Sequence, residues 1–263
     1  MKKKVLLARI QQITWIALLV AVGMLVLSAV GKRQNSRSMP LLDIEIQPTA
    51  NADSNLITDE EIDSILRNSF TYGITDNPIK TIDVGRAERV LEKNPFVKNA
   101  DVYIDNTNTI NVEVEQREPV VRIIDGEGRN YYLDKAANYM PLSEHHTARV
   151  LVLTGFIQPH EPNFMKLKQH RLKDLFYLSE RIRADEFFHH LIEQVHLSQN
   201  GDILFVPKIG KQQILFGKYL DEDNVEEKLQ RLKIFYKEAL SRTSWTKYQL
   251  IDIRFKDQIV CKK

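Results

Sequence analysis

The chain has 263 residues, 43% of them hydrophobic and 27% charged, with a formal net charge of +2. That is globular material for one to two domains, and its interleaved Lys, Arg, Asp and Glu leave no basic stripe of the kind a nucleic-acid surface needs. Cys261 is the only cysteine, which excludes an internal disulfide and a Cys-rich metal site.

The chain opens on Lys2, Lys3, Lys4 and Arg9, and then carries no charge from residue 10 to residue 31. As a helix that run would span about 33 Å against a hydrocarbon core of about 30 Å. Gln11, Gln12 and Thr14 fall at headgroup depth and Trp15 at the interface, so 10–31 reads as a transmembrane helix. The rival is a cleaved signal peptide ending near Ala29 and Gly31, whose apolar core would be shorter, about 7–15 residues. So short a basic N-terminus puts residues 1–9 in the cytoplasm and the rest of the chain outside. Residues 32–40, polar and closed by Pro40, read as a linker.

"LLDIEIQ" (41–47) alternates as a strand. Thr58 and Glu61 form a capping box for a helix with Ile62, Ile65 and Leu66 on one stripe. Asp83 caps a second helix carrying Ala87, Val90 and Leu91, and Asn94-Pro95 stops it. "VKNADVYI" and "TINVEVEQ" then make a hairpin around the turn formers "DNTN". This order predicts a small α+β domain over 41–118, its helices on one face of a three-stranded sheet.

From residue 119 short strands and turns dominate. "VVRIID" and "NYYLD" flank "GEGR", "RVLVLTG" reads as a buried strand, "EQVHLSQNGDILFVP" folds back through Asn200-Gly201, and "KQQILFG" is one more strand. Two longer helices interrupt them. One is expected over about 163–183, with Leu172, Leu175, Phe176 and Ile182 on its stripe; the other over about 222–240, with Val225, Leu229, Leu232, Tyr236 and Ala239 inward. The chain closes on "YQLIDIRFKDQIVCKK", where Ile251, Ile253 and Phe255 alternate with Asp252, Arg254 and Lys256 as in a half-buried strand. A terminal strand with a free edge offers unpaired backbone groups to a partner.

Marks of catalysis are missing from the sequence. "GEG" is a turn rather than a phosphate loop, and no Ser sits in a G-x-S-x-G elbow. Among the seven histidines the pairs His145-His146 and His189-His190 are adjacent, which does not place two ligands on one helix face. The acidic runs at 59–61 and 221–223 fall in helix first turns, where the dipole accounts for them. Cys261 has no positioned base and reads as a small hydrophobe. No catalytic, cofactor or metal residue is assigned, and the expectation is a protein that is not an enzyme.

Three stretches resemble the FtsQ/DivIB cell-division proteins: "NPFVKNADVYI" with "NTINVEVEQREPVVRI", then "QQILFGKYLDEDNVEEKLQRL", and "IDIRFKDQIV". Phe96 stands where that family often has Trp, and Asp105-Asn106 replaces its usual Arg and Pro. The resemblance implies a POTRA domain over 41–118, a β domain over 119–263, and a divisome scaffold of the bacterial inner membrane acting at the septum. It implies as partners single-span coiled-coil proteins like FtsB/DivIC and FtsL, and through them the septal peptidoglycan synthase, with no small-molecule substrate. Carried across position by position, partner binding falls on Ile253, Arg254, Phe255, Asp257, Ile259, Val260 and Cys261. The alternation leaves Phe255 open to either core or interface. A POTRA-bearing envelope assembly or secretion component is the second reading, and a membrane-anchored wall hydrolase the third.

Overall fold

Alternation writes the first sheet. In β1 (Leu41–Gln47) Leu42, Ile44 and Ile46 turn toward the core and Asp43, Glu45 and Gln47 toward solvent. The computed structural model describes residues 18, 20–25, 40–48, 55–71, 73–219, 221–243 and 247–263. Residues 1–9, most of the expected span over 10–31, most of the linker and residues 49–54 lie outside the described residues, though Leu18 and 20–25 are helical. Among the described residues no helix is long and apolar enough to cross a membrane.

The capping box starts α1 (Asp59–Ser69): Thr58 Oγ1 accepts from the Glu61 amide at 3.3 Å, and Glu61 Oε2 accepts from the Thr58 amide at 3.1 Å. Asp83 Oδ1 accepts from the Arg86 amide at 2.9 Å and starts α2 (Val84–Leu91). The hairpin follows as β2 (Val97–Ile104) and β3 (Thr109–Gln116). β3 is central, parallel to β1 and antiparallel to β2, and Val112 faces Ile44 on one side and Val102 on the other. Ile62, Leu66, Ala87 and Leu91 close this core from the helices.

The second sheet has nine strands. They are β4 (Pro119–Asp125), β5 (Asn130–Asp134), β6 (Tyr139–Met140), β7 (Leu151–Gly155), β8 (Ile192–Leu197), β9 (Ile203–Pro207), β10 (Gln213–Gly217), β11 (Leu250–Asp252) and β12 (Val260–Lys262). Their spatial order is β12-β11-β10-β9-β8-β7-β4-β5-β6. Three helices, α3 (Arg171–Ala184), α4 (Glu186–Leu191) and α5 (Glu222–Ile234), share one core with the inner sheet face. The outer face, with Arg122, Val152, Thr154, Gln194, His196, Leu204 and Leu215, stays partly exposed. "RVLVLTG" is therefore buried on one face only, at Leu153.

Three expectations change. The helix expected from 163 begins at Arg171, because Asn163 is left-handed at φ 65°, 164–166 makes one 3₁₀ turn and Leu167 is extended. The helix expected to 240 is α-helical to Ile234 and π-helical over Phe235–Leu240, which buries Leu240 and leaves Ala239 exposed. The strand expected over 251–256 ends at Asp252.

Candidate functional site

β11 lies between β10 and β12. It runs parallel to β10, with Gln213, Ile214 and Leu215 facing Leu250, Ile251 and Asp252, and Ile251 is fully buried. The Ile253 amide still donates to the Leu215 carbonyl at 3.0 Å, and its side chain is fully buried. At Arg254 the ladder stops, for a local reason. Asp252 Oδ1 accepts from the Arg254 amide at 3.1 Å, and the guanidinium closes on the same carboxylate, Nε to Oδ1 at 3.0 Å and Nη2 to Oδ2 at 2.8 Å. An aspartate that captures the backbone two residues on makes a turn instead of a strand. Burial pushes the Asp252 carboxyl up, but the Arg254 hydrogen bonds outweigh it and hold the group below its ordinary value. The same bond raises the Arg254 guanidinium.

The chain reverses through residues 255–257, with Asp257 in the left-handed region at φ 58°. β12 then returns antiparallel to β11, with Val260 opposite Asp252, Cys261 opposite Ile251 and Lys262 opposite Leu250. Side chains alternate, so Cys261 packs inward, as does Ile259 before the strand, while Val260 and Lys262 face outward. Burial pushes the Cys261 thiol up, away from the thiolate a nucleophile needs. The free edge of the sheet is β12, paired on one side only among the described residues.

The expected residues thus divide. Arg254, Phe255, Asp257 and Val260 are exposed, Phe255 at 43%, which removes the core alternative for that ring. Ile259 and Cys261 are half-buried supports. Ile253 is core: its side chain is fully buried, its amide is taken by the Leu215 carbonyl and its carbonyl by Arg231. The Arg254 guanidinium carbon lies 5.9 Å from the Phe255 ring centre, so cation and ring form one outward patch. Sequence reasoning missed Asp252, whose spacing two residues before an arginine was the available signal, and the residues behind the turn, Gly217, Lys228 and Arg231.

The opposite edge, β6, is two residues long, and its Tyr139 ring packs on Tyr131 at 5.1 Å and His160 at 5.8 Å. Neither histidine pair gathers ligands: His145 sits 3.2 Å from Glu61, and the His189 and His190 rings pack on each other at 5.2 Å. Among the described residues no group of three or more His, Cys, Asp or Glu could hold a metal ion.

A three-stranded α+β unit joined to a mixed sheet with helices on one face is matched by two family models. A POTRA-like domain covers residues 42–115, and "FtsQ/DivIB, C-terminal related" covers 118–262. The second spans more than half of the chain, and the chain belongs to the FtsQ/DivIB family. Three similar proteins each bear the name cell division protein FtsQ. The one from Rhodothermus marinus is 28% identical over 180 residues, 67% of this chain and 64% of its own length. The Geotalea daltonii protein is 27% identical over 176 residues, 66% of this chain and 61% of its own. The Salinibacter ruber protein is 26% identical over 182 residues, 67% of this chain and 68% of its own. The aligned region thus spans less than two thirds of the first two relatives.

Proposed function

We propose that this chain is a non-enzymatic scaffold of bacterial cell division. Residues 10–31 hold it in the inner membrane with 1–9 in the cytoplasm, and the POTRA domain (41–118) and β domain (119–263) stand outside at the septum. The open edge of β12 takes up a strand from an FtsB/DivIC-like single-span protein that comes with an FtsL-like one, and so connects indirectly to the septal peptidoglycan synthase. The observation that carries this reading is that β12, at the end of a nine-stranded sheet, is paired on one side only among the described residues. Strand addition draws affinity from backbone hydrogen bonds and specificity from alternate side chains. A three-residue strand supplies few such bonds, so Arg254 and Phe255 beside it serve as the anchoring patch, with Asp257, Ile259, Val260 and Cys261 shaping the edge. The names of the three relatives support the division role.

The test is capture of the FtsB/DivIC-like partner from crosslinked cells by the full chain. Phe255→Glu and truncation before Lys256 are expected to reduce capture at least about tenfold, as loss of an aromatic anchor worth about 1.4 kcal/mol or more does, while the circular dichroism of Phe255→Glu stays native. Undiminished capture by both variants sinks the strand-edge reading. A fluorescent fusion spread evenly round the envelope, instead of gathered at mid-cell, removes the division role itself.

A further inference from the structure

Lys228 on α5 is buried, and its ammonium is spent on backbone: Nζ donates to the Phe216 carbonyl at 3.2 Å and the Lys218 carbonyl at 3.5 Å, and lies 4.7 Å from the Phe216 ring centre. Burial pushes this ammonium below its ordinary value. What it holds is an irregularity. The β10 ladder with β9 skips between Leu215 and Gly217, and Gly217 sits at φ 85°. Glycine is required there twice over, by that angle and because a Cβ would come 2.6 Å from Arg254 Cγ. The Arg254 stem therefore lies on bare backbone, and its head closes on Asp252, with Asp202 Oδ2 3.8 Å away. Three residues along α5, Arg231 donates Nη2 to the Ile253 carbonyl at 3.2 Å. Two cations of one helix thus hold carbonyls at the ends of β10 and β11, the two neighbouring strands that precede the reversal into β12.

We infer that Lys228 and Arg231 are positioning residues for the C-terminal edge, fixing the reversal after Ile253, and with it β12, before any partner arrives. An edge already ordered spares a partner the cost of ordering it. That consequence for binding rests on the strand-addition reading; the coupling of α5 to β12 belongs to the free chain and is tested there.

Cys261, the single cysteine, is half-buried on β12, so its alkylation reports opening of that strand. Iodoacetamide labelling of the full chain is followed across low denaturant for the wild type, Lys228→Met, Arg231→Met and, as a control in the same core, Leu175→Ala. Both α5 variants are expected to raise labelling at least about tenfold, the change that 1.4 kcal/mol of lost local stability produces, with little dependence on denaturant because the opening is local. Leu175→Ala is expected to raise it only with the steep denaturant dependence of global unfolding. Wild-type rates in both α5 variants, or acceleration only in step with global unfolding, overturn the inference. If Lys228→Met fails to fold, Arg231→Met alone decides. Partner capture is a separate readout: loss in Phe255→Glu with unchanged labelling in the α5 variants keeps the proposed function and removes the coupling, and the reverse pair does the opposite.

Discussion

The Asp252 carboxylate, its side chain 9% exposed, has no partner so close as Arg254, whose own side chain is 41% exposed. A half-wet guanidinium keeps much of its hydration, so the pair is worth about 1 kcal/mol and not the several a fully buried pair can reach. Asp252→Asn is expected to cost about that at neutral pH, read as a drop in urea midpoint with an unchanged slope. The pH dependence follows from the direction of the shift. Because the folded carboxyl is held below its ordinary value, its contribution is present above the unfolded value of about 3.9 and is lost as pH falls through the folded one. The gap between wild type and Asp252→Asn should therefore be full at about pH 6 and shrink below about pH 4. A gap that stays constant down to acid unfolding would assign the residue another role. In the sequence Asp252 and Arg254 looked like the solvent side of a strand, because a period of two does not distinguish such a side from an aspartate gripping the residue two further on.

Among the elements, those written in local chemistry were legible and those decided by tertiary contact were not. Thr58 with Glu61, and Asp83, each start the helix their sequence announces, while Asp221, read as part of a first turn, is instead the cap, its Oδ1 accepting from the Asn224 amide at 2.8 Å. The start of α3 carried no such mark: its Arg171 amide is capped at 2.7 Å by the side chain of Gln158, from a preceding loop. Nor did an i, i+4, i+7 count foresee that the turn after Ile234 widens. In a π turn the hydrogen bonds reach five residues, so the position after Tyr236 that faces inward slips from Ala239 to Leu240. Leu240 is 1% exposed, and Leu240→Ala should cost about 2–5 kcal/mol. Ala239→Lys should stay within about 0.5 kcal/mol. The two denaturation midpoints distinguish the geometries, since a regular α-helix to residue 240 predicts the larger penalty at 239.

At the scale of the molecule, the POTRA-like unit and the nine-stranded sheet are joined by more than the peptide between Gln116 and Pro119. Leu56, from the segment before α1, and Phe96 pack against Tyr132, Met140, Ala148 and Val150 in a third cluster shared by the two units. The polar groups there are paired: the Leu56 amide donates to Gln116 Oε1 at 2.8 Å, Ser143 Oγ donates to the Leu56 carbonyl at 2.6 Å, and Tyr132 Oη accepts from the Ala148 amide at 3.2 Å. Arg117 Nη1 adds a contact to Asp134 Oδ2 at 3.1 Å, and Lys135 pairs with Glu118. None of this was visible as pattern, because each partner sits in a loop or strand whose own period is satisfied without the other unit. A buried, hydrogen-bonded joint links the stabilities of the two cores, so the wild-type chain should melt in a single calorimetric transition. Leu56 is fully buried at its centre, and Leu56→Ala should remove about 2–5 kcal/mol by transfer and cavity terms together. Since that loss falls on the joint and on neither core alone, the variant should melt in two transitions, the earlier one assigned by hydrogen exchange to one of the two sheets. A single transition merely moved to lower temperature would mean the remaining contacts still couple the units. Two transitions in the wild type would mean that the joint transmits nothing from the POTRA-like unit to the sheet that ends in β12.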